Sequence, residues 1–335
     1  MVFFTHWKHT VETDMQNLQN VSTALSRAEG CLLGQIAGDS LGSLVEFRTA
    51  ESIKREYPNG VTELADGGTH STLAGQPTDD SELALMLARS LVAEGTYKRD
   101  IVFQSYVYWL RSGPFDCGTA TRTGLTGKPS TDTQANGALM RISPLGIFGT
   151  HYPAETVAAW AEHDAAMTHP HPITRSASAL FAMAIAHVIK TGCSAQQLYE
   201  YIVQHADKRN DPQALRDVIS SAATQRPPTY VHQQGWVMIA FQNALWQLLH
   251  AESFRAGVQD TVMQGGDTDT NAAICGALLG AVYGRDAVPH TWVEALLNCR
   301  PRRENPQCVH PRPEVFWPVD ALDLAAQLLG QTSGV

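Results

Sequence analysis

Gly30-Cys31-Leu32-Leu33-Gly34-Gln35-Ile36-Ala37-Gly38-Asp39-Ser40-Leu41-Gly42 carries glycine at every fourth position of a largely apolar run. With about 3.6 residues per helical turn, that spacing keeps the glycines on one slowly turning stripe. Glycine costs a helix interior about 1 kcal/mol relative to alanine. The stripe therefore makes best sense where another helix must approach its backbone closely. From Ala24 onward, Leu25, Cys31, Leu32, Ile36, Leu41 and Leu44 complete the pattern, predicting a buried central helix. The same glycines are no dinucleotide-binding loop, because a four-residue helical ladder lacks the strand context such a loop requires.

Far along the chain, Gly276-Ala277-Leu278-Leu279-Gly280-Ala281-Val282-Tyr283-Gly284 repeats the small-residue spacing and predicts a second close-packed helix, a partner for the first. Another helix is expected from Asp79, Asp80 and Glu82 through Leu83, Leu85, Met86, Leu87 and Leu91, its opening carboxylates suited to the N-terminal dipole. Further helices are expected over 154–167, 173–190, 195–205, 234–249 and 322–329. Strand evidence is weak, since alanine and leucine outnumber β-branched residues in the apolar stretches. Pro58 to Pro77 and Pro301 to Pro318 are expected to be irregular, and Gly113 to Pro129 to form a mobile, substrate-facing loop.

A chain of 335 residues with 44% hydrophobic and 17% charged residues can bury a substantial core. Its formal net charge of -9 presents no obvious phosphate-binding surface, so neither DNA nor RNA is an expected partner. The opening apolar run of Met1 to Phe4 is too short for a signal peptide. No later segment is expected to reach membrane-helix length. Six scattered cysteines without paired or zinc-like spacing agree with free thiols. Cytoplasmic residence and no membrane are the resulting expectations.

Two acidic clusters carry the chemistry. Thr78-Asp79-Asp80 stands at a helix start, and Asp267-Thr268-Asp269-Thr270 follows Gly265-Gly266, whose conformational freedom allows a turn that aims carboxylates inward. Each alone reads as a helix cap. If folding joins them, they offer four carboxylates and two hydroxyls, a set suited to hard divalent cations.

These segments, together with Gly30 to Asp39, Val45-Glu46-Phe47, Pro77 to Asp80, Asn136 to Arg141 and Thr168-His169-Pro170, resemble the ADP-ribosylglycohydrolase family. The resemblance is distributed over Arg27 to Gly284 and includes relatives that reactivate dinitrogenase reductase and relatives that neutralise toxins. It implies a compact orthogonal multi-helix, all-α fold. Residues 27–335 would be the catalytic domain with a variable C-terminal segment, and residues 1–26 an N-terminal extension whose Phe3, Phe4, His6, Trp7 and His9 form an aromatic edge.

The resemblance further implies two magnesium ions, with manganese as a substitute, held by Thr78, Asp79, Asp80, Asp267, Asp269 and Thr270. Glu46, Asp79, Asp80 and Asp269 would be catalytic, and Glu46, Asn136, Gly137 and His169 would contact substrate. His169 is assigned to binding, because its Pro-flanked run identifies no proton-transfer partner. The dinitrogenase reductase-activating relatives carry an acidic residue three positions before the matched asparagine, where this chain has Thr133 with Asp132 beside it. The implied reaction is hydrolysis of ADP-ribose from a modified protein side chain, with arginine as the acceptor. Serine-, nucleotide- and small-molecule-linked ADP-ribose are enzyme alternatives. A noncatalytic binding relative and an immunity protein directed at an ADP-ribosyltransferase toxin are the other readings.

Overall fold

The computed structural model describes residues 23–330, so the aromatic edge from Phe3 to His9 lies outside the described residues. The glycine-striped run forms α1, residues 23–42. Then follow α2 (Ala50–Glu56), α3 (Asp79–Glu94), α4 (Arg99–Arg111), α5 (Thr119–Leu125), α6 (Ser143–Phe148), α7 (Ala154–Ala165) and α8 (Pro172–Thr191). The second half holds α9 (Ala195–Lys208), α10 (Gln213–Ser221), α11 (Val237–His250), α12 (Phe254–Met263), α13 (Thr268–Tyr283), α14 (His290–Asn298) and α15 (Ala321–Leu328). Among the described residues the only β pairing is three isolated bridges, so the expected all-α class holds.

The ladder behaves as its spacing demands. A methyl carbon built on Gly30 would meet the carbonyl oxygen of Gly280, one on Gly34 that of Gly276, and one on Gly38 that of Ala272, each closer than 3.0 Å. The numbers fall along α1 as they rise along α13, so the two helices run antiparallel with backbone against backbone. Side chains larger than hydrogen at these rungs would drive the helices apart. Around the pair, α13 is buried from Thr268 to Ala281, and one contiguous apolar core takes in residues of α1, α3, α8 and α11.

Helix α8 corrects one expectation. Its 20 residues reach a length and apolarity that could cross a membrane, but 78% of its apolar window is buried inside the protein. It is a core helix packed against α6, α7 and α9. The segment after Gly113 is also more ordered than expected, since α5 interrupts it. Gly124 lets that short helix seat against Thr168, where a methyl carbon would lie 2.5 Å from the Thr168 Cα. Helices α2, α4, α6, α10, α12 and α14 are not among those expected from the sequence; in α4, polar residues dilute the pattern, and just Val102, Tyr106 and Trp109 are buried. Helix α11 starts at Val237 rather than near Gln234 because Trp236 pairs with Ala135 in an isolated bridge.

The irregular stretch before α15 is tied to the core through Glu82. Arg312 donates to both Glu82 carboxylate oxygens, at 2.8 and 2.7 Å, and the Trp109 indole N–H adds a third hydrogen bond at 2.7 Å. Glu82, expected to serve the α3 dipole, is thus a buried ion-pair partner.

A candidate acidic active site

The antiparallel ladder sets the C-terminal end of α1 beside the N-terminal end of α13, and that placement creates the site. At the last rung, a methyl on Gly42 would collide with the Asp269 backbone. The Thr268 hydroxyl donates to the Gly42 carbonyl at 2.7 Å. The turn after α1 is then stitched to the turn before α13: Phe47 N–H donates to Gly266 O at 2.8 Å, and Gly266 N–H donates to Arg48 O at 2.8 Å. Gly265 and Gly266 both take positive φ, 77° and 79°, the unusual turn their sequence allowed. Glu46 is thereby held over the start of α13, and Phe47 adopts a left-handed φ of 64° with its ring 55% exposed.

Asp39, on the last turn of α1, fastens the third helix. Its carboxylate accepts the Thr78 and Ser81 backbone N–H groups at 3.1 and 3.0 Å and the Thr78 hydroxyl at 2.8 Å. Asp39 therefore does for α3 what an N-cap side chain normally does. The expected cap, Thr78, makes no capping bond and turns its hydroxyl toward carboxylates. That hydroxyl also lies 3.1 Å from Asp80 Oδ2, so its single proton faces two acidic groups.

The expected cation ligands Thr78, Asp79, Asp80, Asp267, Asp269 and Thr270 are all buried; Asp79, Asp267, Asp269 and Thr270 line one cavity, and Asp80, bonded to Thr78, clusters with Asp269 and Asp39. One ligand oxygen each from Asp39, Asp80 and Asp269 falls within a 4.8 Å cluster. A second cluster of the same tightness joins Asp269 to Glu46, His70 and Asp116. His70 Nε2 stands 2.6 Å from Glu46 Oε2 and 3.6 Å from Asp116 Oδ2.

Burial shows in the acidities. Desolvation, reinforced by neighbouring carboxylates, holds Asp79, Asp80 and Asp269 well above the ordinary carboxylate range. Burial likewise pushes Asp39 up to about 6 and Glu46 up to about 7. His70 is raised, chiefly by its hydrogen bond to Glu46. Asp80 Oδ1 is buried and has no hydrogen-bond partner among the described residues. A buried carboxylate oxygen without a donor is costly. The donor set is hard oxygen, so these residues fit a divalent cation.

Beside the carboxylates opens a cavity of about 520 Å³ lined by Glu46, Asp79, Asp116, Asn136, Gly137, His169, Asp267, Asp269 and Thr270. The Asn136 amide donates to Asp267 Oδ2 at 2.7 Å, joining the substrate wall to the acidic cluster. Gly137 lets His169 approach, since a methyl carbon there would sit 3.1 Å from His169 Nε2. Burial, and then the charge of Arg141, pull His169 down to about 3, so the ring is neutral near pH 7. Thr133 lines this cavity, whereas Asp132 is exposed on an adjoining shallow shelf with Trp236.

Asp39, His70 and Asp116 were not singled out from sequence. A carboxylate on an apolar, glycine-striped helix was a usable signal for Asp39. His70 and Asp116 sit on irregular segments with no periodicity to mark them.

Comparison with known proteins agrees with this geometry. The family described as ADP-ribosylglycohydrolase matches residues 20–330. The chain is 32% identical over 283 residues to the ADP-ribosyl-dinitrogen reductase glycohydrolase of Rhodospirillum rubrum, covering 81% of this chain and 90% of that protein. It is 28% identical over 290 residues to the ADP-ribosylarginine hydrolase Tri1 of Pseudomonas putida, covering 81% and 74%. A solved structure titled ADP-ribosylglycohydrolase-related protein complex superposes with a TM-score of 0.74 at 27% identity, covering 93% of this chain and 99% of that one.

Proposed function

This chain belongs to the ADP-ribosylglycohydrolase family, and from that premise we propose that it is a magnesium-dependent hydrolase that removes ADP-ribose from modified arginine side chains of proteins. The observation that carries the reading is the convergence of the ends of α1, α3 and α13 on buried carboxylates, one of whose oxygens has no partner among the described residues. Two magnesium ions, or manganese in their place, would be held by Thr78, Asp79 and Asp80 from one side and Asp267, Asp269 and Thr270 from the other. Bound there, they supply Lewis-acid charge that polarises a distal-ribose oxygen and makes water more acidic.

The chain's own residues do the rest. Asn136 and Gly137 shape the ribose wall, and His169 offers an uncharged N–H. Water attacks ribose C1 as the bond from C1 to the acceptor nitrogen breaks. Glu46 takes the water's proton, a task suited to a carboxyl held at about 7. His70 orients Glu46 through their 2.6 Å contact. The C1–N electron pair leaves with the guanidine nitrogen, which receives the proton Glu46 took, so the products are ADP-ribose and unmodified arginine with Glu46 again a carboxylate. Arginine as acceptor is supported by the Pseudomonas relative's name and by Asp116 and Glu46 at the cavity, two carboxylates that suit a guanidinium. Cytoplasmic residence belongs to the same proposal, supported by six free cysteines. Neutralisation of an ADP-ribosyltransferase toxin would be one use of this activity.

The test presents protein and magnesium with arginine-linked and serine-linked ADP-ribosyl peptides and measures free ADP-ribose by mass spectrometry. The arginine-linked peptide is expected to react, and Asp79→Ala, Asp269→Ala or chelation to slow release by about 100-fold or more. Turnover of the serine-linked peptide alone would overturn the acceptor assignment, and full activity of both variants would overturn the cation site.

A further inference from the structure

Behind the cavity wall lies a polar network with no part in the acidic cluster. Arg141, Asp164, Thr168, His169 and Tyr106 are all buried, with exposures of 1% or less. The Arg141 guanidinium donates to Asp164 Oδ1 at 3.0 Å and to the Asp164 carbonyl at 3.1 Å, while the Tyr106 hydroxyl donates to Asp164 Oδ2 at 3.0 Å. The tyrosine ring lies under the guanidinium, 4.6 Å from ring centroid to Arg141 Cζ. One Arg141 nitrogen, Nη1, then reaches toward the cavity and serves two acceptors, the Gly137 carbonyl at 3.2 Å and the Thr168 hydroxyl oxygen at 2.9 Å. Beyond it, Thr168 Oγ1 is 2.7 Å from His169 Nδ1.

Hydrogen-bond accounting gives this chain of contacts a direction. Arginine can only donate, so Thr168 Oγ1 accepts from Arg141. The hydroxyl is fully buried, and among the described residues the only other polar atom it meets is His169 Nδ1. If Nδ1 carried the ring proton, the threonine would accept twice and bury its own proton unsatisfied, at the cost such a group carries. Thr168 therefore donates and Nδ1 accepts, which leaves the single proton of the neutral ring on Nε2. His169 lines the cavity, and its Nε2, the ring nitrogen not engaged by Thr168, faces the lining residue Gly137, where a methyl carbon would sit 3.1 Å away.

We propose that Thr168 and Arg141 are positioning residues that lock His169 as the Nε2–H tautomer, an uncharged donor aimed at an oxygen of the ADP-ribosyl group. Arg141 sets two contacts at once, because its bond to the Gly137 carbonyl holds the wall whose neighbour Asn136 is tied to Asp267. An uncharged donor suits this place: a second cation beside buried Arg141 would be strongly disfavoured, while an N–H still rewards a hydroxyl or phosphate oxygen. The inference rests on the ADP-ribose reading only for the identity of the acceptor oxygen.

Two measurements separate the positioning from that reading. Nitrogen-15 NMR of histidine-labelled full-length protein is expected to show a His169 signal with Nδ1 unprotonated and Nε2 protonated, unchanged in Thr168→Ser and altered in Thr168→Val. Calorimetric titration with free ADP-ribose in magnesium is expected to weaken about tenfold in Thr168→Val, the scale of one lost hydrogen bond, with recovery in Thr168→Ser. In turnover, KM should rise in the valine variant more than kcat falls. Circular dichroism checks that each variant folds, and the wild-type spectrum decides the tautomer even if Thr168→Val does not fold. A protonated Nδ1 in the wild type, or equal ADP-ribose affinity in a folded Thr168→Val, would overturn the proposal. Absence of ADP-ribose binding by the wild type, with the tautomer as expected, would overturn the acceptor and the function reading together while leaving the positioning intact.

Discussion

Gly38→Ala tests whether the helix ladder builds the site as well as the core. A methyl carbon at Gly38 would lie 2.0 Å from the Ala272 carbonyl oxygen, at least 1.0 Å inside the 3.0 Å that real side chains respect. The obstacle is backbone, so α1 and α13 must separate by roughly that much or distort. Because the obstacle is backbone, the overpacking cost lies at the top of its usual range, about 3 kcal/mol, offset by up to about 1 kcal/mol of better helix propensity. A net loss of about 2 kcal/mol, set against an unfolding entropy on the order of 0.7 kcal/mol/K for a chain this long, lowers Tm by about 3 °C. The functional loss should be larger in proportion. The rung lies one turn from Gly42, which abuts Asp269, and divalent-cation coordination tolerates only about 0.2 Å. Scanning calorimetry with and without magnesium, joined to magnesium titration, should show the Tm loss together with at least tenfold weaker magnesium binding. Adding Ala272→Gly should rescue neither, because it removes no atom of the carbonyl. A Gly38→Ala protein with Tm within about 1 °C of the parent and unchanged magnesium affinity would refute the reasoning.

Glu46→Gln keeps the size of a side chain that is 5% exposed and removes its proton affinity, so kcat should fall about 100-fold or more without a lower Tm; kcat within twofold of the parent would remove Glu46 from proton transfer. Metal-free protein should lose stability as pH rises. Carboxyls that folding makes weaker acids contribute stability that is present below the ordinary carboxylate range and is lost as pH rises through their folded pKa values, about 6 for Asp39 and about 7 for Glu46. The Glu46 contribution alone is on the order of 3 kcal/mol, so magnesium should raise Tm much more at pH 8 than at pH 5, and an equal increment at both pH values would contradict the charge assignment.

What the sequence settled by itself was whatever local chemistry repeats or stands out. A glycine every fourth residue in two distant segments could serve only close helix packing, and α1 and α13 meet rung for rung. Thr78-Asp79-Asp80 and Asp267-Thr268-Asp269-Thr270 were visible as acidic helix starts because such residues are unusual beside apolar helices. Gly265-Gly266 announced a turn that both glycines make with positive φ. Tertiary structure decided the rest, since no local pattern encodes which loop arrives at a helix end. It made Asp39, a mid-helix residue by sequence, the cap of α3. It brought His70 and Asp116 to Glu46 from irregular segments, and left Asp132 on the surface while Thr133 faces the cavity. It also buried α8, whose length and composition alone would suit a membrane. The physical reason is common to all of these: helix propensity and periodicity act over a few neighbouring residues, whereas the field on a carboxylate depends on every chain segment that packing brings within a few ångströms of it.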